Sequence, residues 1–206
     1  MEYGLTVNVQ NKIKDLKLEK SENPDYRFCW EINLTKVENR NVLVIVHPTS
    51  RYCMIYANMK PSVWKDFSAF VTDAIKSAFI REGLNEKDFE RYIELAGDVR
   101  FTKTHGKQAV GGLNHITGDL YVFGDWLVKS ELLQERITQC FNTAPTVSAL
   151  HPEYRCITPQ DFLVNEMRNL LYGEDMMLRY AILSDGITIR DGKPEDETAR
   201  RSMFIR

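Results

Sequence analysis

Lys103, Thr104, His105, Lys107 and Asn114 fall within fifteen positions, 101–115, that also hold three glycines and a second histidine. Lysine and histidine are the side chains that meet anions or carry protons. Glycine suits backbone that turns tightly or approaches something closely. The segment therefore reads as an exposed contact surface, with the lysines on an anion and Thr104 and Asn114 orienting it. It is no nucleotide-hydrolysing phosphate loop: His105-Gly-Lys-Gln-Ala-Val-Gly-Gly112 carries glycine and lysine in the wrong order for backbone N–H groups and a lysine to wrap phosphates together. Lys103 and Lys107 also make a basic patch over 100–107 that suits a nucleic-acid backbone. The plainer alternative is that Gly111 and Gly112 let the segment pack against a sheet while the lysines are solvated.

A second pattern is chemical. His47-Pro-Thr49 and His115-Ile-Thr117 are both His-x-Thr. Paired imidazoles at a phosphodiester act as general acid and base, and each hydroxyl holds a phosphate oxygen, as in two-histidine phosphoesterases. Candidate catalytic residues are thus His47, Thr49, His115 and Thr117. The carboxylate groups Asp88/Glu90 and Glu195/Asp196/Glu197 read as solvated charge. Trp30, Tyr52, Tyr56, Trp64, Phe67 and Phe70 fall at strand and helix spacings that mark core before they mark a base-stacking surface.

The totals fit an ordinary water-soluble domain. The 206 residues are 43% hydrophobic and 27% charged, with a formal net charge of -2. No global field draws such a chain to nucleic acid or to an anionic membrane. The start lacks a basic n-region and an apolar h-region, and no apolar run spans a bilayer, so a cytoplasmic protein is expected. Cys29, Cys53, Cys140 and Cys156 are scattered with no Cys-x-x-Cys pair, which predicts free thiols and no zinc site. No cofactor is expected.

The elements that must position these residues follow from periodicity. A short strand over 4–7 leads into a helix bearing Val9, Ile13 and Leu16. Phe28, Trp30, Ile32 and Leu34 alternate with Cys29, Glu31, Asn33 and Thr35, a strand with one buried face. The apolar run 42–46 predicts a central strand and 52–57 a third, joined by short links to make an antiparallel meander. A helix opens at Pro61-Ser62 and stops at Gly83, with Phe67, Val71, Ile75 and Phe79 on its stripe. Asn85 caps another, and a strand follows over 99–102. Beyond Asp125 the pattern turns helical, with Thr158-Pro159 starting a helix that stops at Gly173. Ser184-Asp-Gly186 is a turn signal, with an edge strand after it and a charged tail over the last fifteen residues.

The run Phe28-Cys-Trp-Glu-Ile-Asn-Leu34, the strand 41–46, the step Ser50-Arg51-Tyr52 and the helix ending at Gly83 resemble a group of small bacterial proteins known only as a domain of unknown function. The closing signature of that group is Thr-Lys-Thr, two variable residues, Arg-Ser, two apolar residues, then Gly-Ser-Met-Asn. It corresponds here to Thr102-Lys103-Thr104, Lys107-Gln108, Ala109-Val110 and Gly111-Gly112-Leu113-Asn114. Lys107 and Gln108 depart from Arg and Ser. The resemblance covers roughly the first 120 residues, about one ordinary domain, and implies a fold but no activity.

Together these readings predict an α+β fold: an antiparallel β-meander of about four strands with a long helix on one face. A body over 1–123 would be followed by a helical appendage over 124–206. The expected function is a non-enzymatic binding or interaction module. Its partner would be another protein or a second copy of the chain, with nucleic acid as an alternative.

Overall fold

The structure is a computed structural model that describes residues 1–22, 24–146, 157–173, 189–190 and 193–194 of the 206. Strand β2 (Cys29–Val37) pairs antiparallel with β3 (Arg40–Val46), and β3 pairs antiparallel with β4 (Cys53–Ala57). That much is the expected meander. With strands at Glu2–Leu5 (β1) and Arg100–Lys103 (β5), the sheet is nonetheless mixed and five-stranded, in the order β4-β3-β2-β1-β5. Strand β1 lies between β2 and β5 and runs parallel to both; the helix after it, α1 (Val7–Gln10), is a single turn that takes in Val9 but not Ile13 or Leu16. Alternation within one strand reports a buried face but carries no information about a partner some hundred residues away. That is why a wholly antiparallel sheet was expected.

Local chemistry accounts for most elements. The β2–β3 link turns on Glu38 and Asn39, both with positive φ (46° and 63°), as a two-residue hairpin of right-handed strands requires. The helix expected from Pro61 begins as a 3-10 turn, Pro61–Trp64. The α-helix proper, α2 (Phe67–Arg81), starts only where the Asp66 carboxylate accepts from the Ala69 N–H. Helix α3 (Glu86–Ala96) opens on a reciprocal box in which the Asn85 side chain accepts from the Asp88 N–H and the Asp88 carboxylate from the Asn85 N–H. Asp88 is therefore a buried cap rather than a solvated charge.

The two faces of the sheet bury different material. On one, Trp30, Tyr3, Tyr56 and Phe101 meet α2 and α3: Trp30 donates to the Tyr92 hydroxyl, Tyr3 pairs with Thr72, and Tyr56 and Phe101 lie on Phe70 and Phe67. On the other, Val42, Val44, Val46, Cys53 and Ile55 pack with Leu113 and Ile116 of α4 (Gly111–Asp119) and with Ile137 of α5 (Glu135–Thr143). Of the aromatics read as core, Trp30, Tyr52, Tyr56 and Phe67 are buried, and Trp64 and Phe70 are half-buried.

Residues 132–142 close the outer edge of β4. The N–H groups of Cys53, Ile55 and Ala57 donate to Asn142 Oδ1, Thr138 Oγ1 and the Leu132 carbonyl. The Gln134 N–H donates to the Ile55 carbonyl, and Asn142 Nδ2 donates to that of Cys53. A bare edge strand invites pairing with another chain; here side chains of a helix take the place of a sixth strand. The chain forms two compact units, 1–164 and 165–206, and residues 124–164 fall in the unit that holds the sheet. Helix α6 (Pro159–Tyr172) runs from the expected cap, where Thr158 Oγ1 accepts from the Asp161 N–H. In the second unit Ile189–Arg190 and Lys193–Pro194 pair antiparallel. The turn at 184–186 and the charged tail lie outside the described residues, as do Cys156 and Glu195–197.

Candidate functional site

Parallel pairing of β1 with both neighbours aligns residues in rows across three strands. Glu2 stands between Cys29 and Arg100, and Gly4 between Glu31 and Thr102. Laterally paired residues project to the same side of a sheet, here the side that carries α4. Just past β5 the chain folds back and lays His105 over Gly4. His105 Nδ1 is 2.5 Å from Glu31 Oε1, and its backbone N–H donates to the same oxygen at 3.2 Å. His105 Nε2 lies 2.9 Å from Glu2 Oε2 and 3.2 Å from Thr102 Oγ1. Position 4 has to be glycine: a Cβ there would stand 2.6 Å from Glu31 Oε2 and 2.9 Å from His105 Nδ1.

The cluster is almost wholly buried. The side chains of His105 and Glu31 are 1% and 0% exposed, and that of Glu2 is 10% exposed. Burial alone would strip the proton from His105, but the Cys29 thiol and the Glu31 carboxylate outweigh it and push the imidazole up to about 11. Burial likewise opposes charge on Glu2, yet the Ser21 hydroxyl, His105 and Arg100 hold its carboxyl below the ordinary range. Burial raises the Cys29 thiol, with His105 pulling the other way. Glu31 Oε2 has no hydrogen-bond partner, a costly state for a buried oxygen.

A concavity of about 520 Å³ opens beside the cluster. Glu19 ties one side of it to β5: its N–H donates to the Phe101 carbonyl, and it bridges to Thr102 in parallel register. The Tyr26 ring stands edge-on to His105, 6.3 Å between centroids. Lys103, Thr104 and His105 line one wall, and Leu18, Lys20, Ser21 and Tyr26 the other.

Lys103, Thr104 and His105 thus share one pocket. Lys107 and Asn114 are exposed and do not line it. The His105 side chain, expected as a surface contact, is buried beneath the loop. The two His-x-Thr triplets are not brought to a common cleft, because the sheet lies between them. His47 is wholly buried on the α3 side, 4.9 Å from the Trp30 ring, with Nε2 on the Arg27 carbonyl and Nδ1 near Ser50 and Thr49 hydroxyls. His115 is exposed on α4, 3.5 Å from Asp119, and Thr117 accepts from Asn33. Gly112 of the glycine pair packs closely, since a Cβ there would lie 3.0 Å from Arg51 Cγ and 3.4 Å from Val46 Cγ1.

Sequence reasoning missed Glu2, Cys29 and Glu31. The signal available was a glutamate inside a strand flanked by tryptophan and isoleucine, which has to be paired if that strand is covered on both sides. The metal expectation also changes. Cysteine and histidine spacing gave no cluster, but the fold brings ligand atoms of Glu2, Cys29 and His105 within 4.8 Å of one another.

The chain belongs to the family described as Domain of unknown function (DUF6933), whose profile matches residues 3–157. No curated protein matches the chain. Among the described residues no helix is long and apolar enough to cross a membrane.

Proposed function

We propose that this family member is a binding module, and that its ligand is a small anion with an apolar body, seated between residues 18–21, Pro24 and Tyr26 on one side and the end of β5 on the other. The observation that carries this reading is the convergence of Lys103, Thr104 and His105 on one pocket of about 520 Å³, within the usual size range of small-molecule sites. Lys103 supplies positive charge at its rim, beside Lys20, which is paired with Glu22, and the Glu19 side chain; Thr104 and Ser21 supply hydroxyls, and Leu18, Pro24 and Tyr26 supply apolar surface. The rigid cluster below fixes the backbone of 103–105, so the contacts are organised before a ligand arrives.

Phenyl phosphate is a suitable probe, joining an anion to a ring. Saturable binding in titration calorimetry is expected, lost at least tenfold in Lys103→Ala and unchanged in Lys129→Ala, an exposed lysine outside the pocket. Absence of binding, or equal binding by both variants, overturns the reading. A short single-stranded oligonucleotide is the second probe. If it binds instead, with steep salt dependence and loss in both Lys103→Ala and Lys107→Ala, the patch belongs to nucleic acid.

A further inference from the structure

We infer that Glu2, Cys29 and His105 form a binding site for one divalent transition-metal ion of the zinc type, with Glu31 as the carboxylate that orients the imidazole. The inference stands on the buried cluster and does not depend on what fills the neighbouring pocket.

Three features carry it. The donor set is one carboxylate, one thiol and one imidazole, the mixture that suits zinc among common cations; calcium and magnesium take oxygen alone. Three protein donors with a fourth position open is the composition of reactive rather than structural zinc sites. The two ring nitrogens of His105 also have divided tasks. Nε2 faces Glu2 Oε2 at 2.9 Å, while Nδ1 sits on Glu31 Oε1 at 2.5 Å. A ligating histidine is commonly held in this way, its far N–H donated to a carboxylate that fixes tautomer and ring orientation. Finally, Arg100 reaches Oε1 of Glu2 rather than the Oε2 that faces His105, and one Glu31 oxygen, fully buried, has no donor of its own.

The geometry needs little change. Tetrahedral donors at roughly 2.0–2.3 Å from an ion stand roughly 3.3–3.8 Å apart, and the three atoms here are already within 4.8 Å. Ligation requires a thiolate and an imidazole with Nε2 unprotonated, so the displaced protons pass to solvent. The entry path is the pocket: His105 lines it, and so does Ser21, whose hydroxyl lies against Glu2.

The test uses the full chain, stripped with a chelator and titrated with Co²⁺ and then Zn²⁺. One ion per chain is expected, with a thiolate-to-cobalt charge-transfer absorption that Zn²⁺ bleaches, and Zn²⁺ should raise the thermal midpoint. Cys29→Ser should abolish the absorption. Glu2→Gln should weaken Co²⁺ binding at least tenfold with circular dichroism unchanged, a control that does not rely on the Cys29 variant folding. Glu31→Gln, which leaves all three donors in place, should weaken it 10–100-fold. A Cys140→Ser, Cys156→Ser double variant should keep the absorption. The inference is overturned if the native chain shows no such absorption, if it survives in Cys29→Ser or disappears in the double variant, or if Glu2→Gln and Glu31→Gln both bind like the native chain.

Discussion

Among the described residues two histidine side chains are buried, and their surroundings could hardly differ more. His47 sits among an indole ring, two hydroxyls and a carbonyl, and burial drives its pKa down to about 4, with the Arg27 carbonyl and the Asp25 charge opposing the shift but not reversing it. His105 sits between two carboxylates and a thiol and is driven up to about 11. Burial disfavours the imidazolium in both places; contact with anions decides the sign. The first histidine is structural, a neutral clasp joining the β3–β4 link to the Arg27 carbonyl. The second belongs to a charged centre that borders a pocket. A sequence reader sees His47-Pro-Thr and His105-Gly-Lys and has no means of telling which is which, because the deciding carboxylates come from β1 and β2.

The contrast can be pulled apart experimentally. The largest effect concerns His47. Its folded pKa lies below the unfolded value near 6.5, so the unfolded chain takes up a proton first as pH falls, and stability drops between pH 6.5 and 4. The full loss is about 3 kcal/mol. Urea midpoints measured across that window should show the slope, and His47→Gln should flatten it. His105 is protonated in both states there and adds nothing. In the metal-free protein its contribution has the opposite sign: full below pH 6.5, it declines as pH rises from there towards 11.

Next in size is Gly4→Ala, which drives a methyl into Glu31 and His105. Overpacking of this kind costs roughly 1–3 kcal/mol, read as a lower urea midpoint, and it should leave the His47 acid slope intact. Tyr92→Phe perturbs the other side. Tyr92 donates to the Arg27 carbonyl and accepts from Trp30 Nε1, and losing a buried acceptor costs about 1–2 kcal/mol. The same measurement should show that loss with the His105 cluster unaltered. The smallest effect is Gly118→Ala, in α4, where an added Cβ meets nothing within 4 Å. It should stabilise by about 0.5–1 kcal/mol, which shows that the damage at Gly4 comes from its neighbours rather than from an added methyl as such.

How far the sequence could lead depends on the range of the interaction. The caps at Asn85 and Thr158, the apolar run of β3 and the hairpin at Glu38-Asn39 are encoded within a few residues, and they were legible. The loop 102–105 was legible as unusual, because lysine, threonine and histidine cluster there. Its partners were not. Glu2 and Glu31 meet His105 only through the placement of β1 between β2 and β5, a pairing with no local signature. The same holds for residues 132–142, whose periodicity announced helix but not the sealing of the β4 edge by Asn142 and Thr138.

The insertion of β1 also sets an order of events. During synthesis β2, β3 and β4 can zip together through short hairpins while β1 still lacks its outer neighbour. That neighbour exists only after residue 103 has been made, and loop closure over such a distance is slow. The charged centre therefore cannot assemble before β5 and His105 have been made. Until it does, two acidic side chains and a thiol on β1 and β2 remain open to water, and the sheet's final strand acts as the latch that shuts them in.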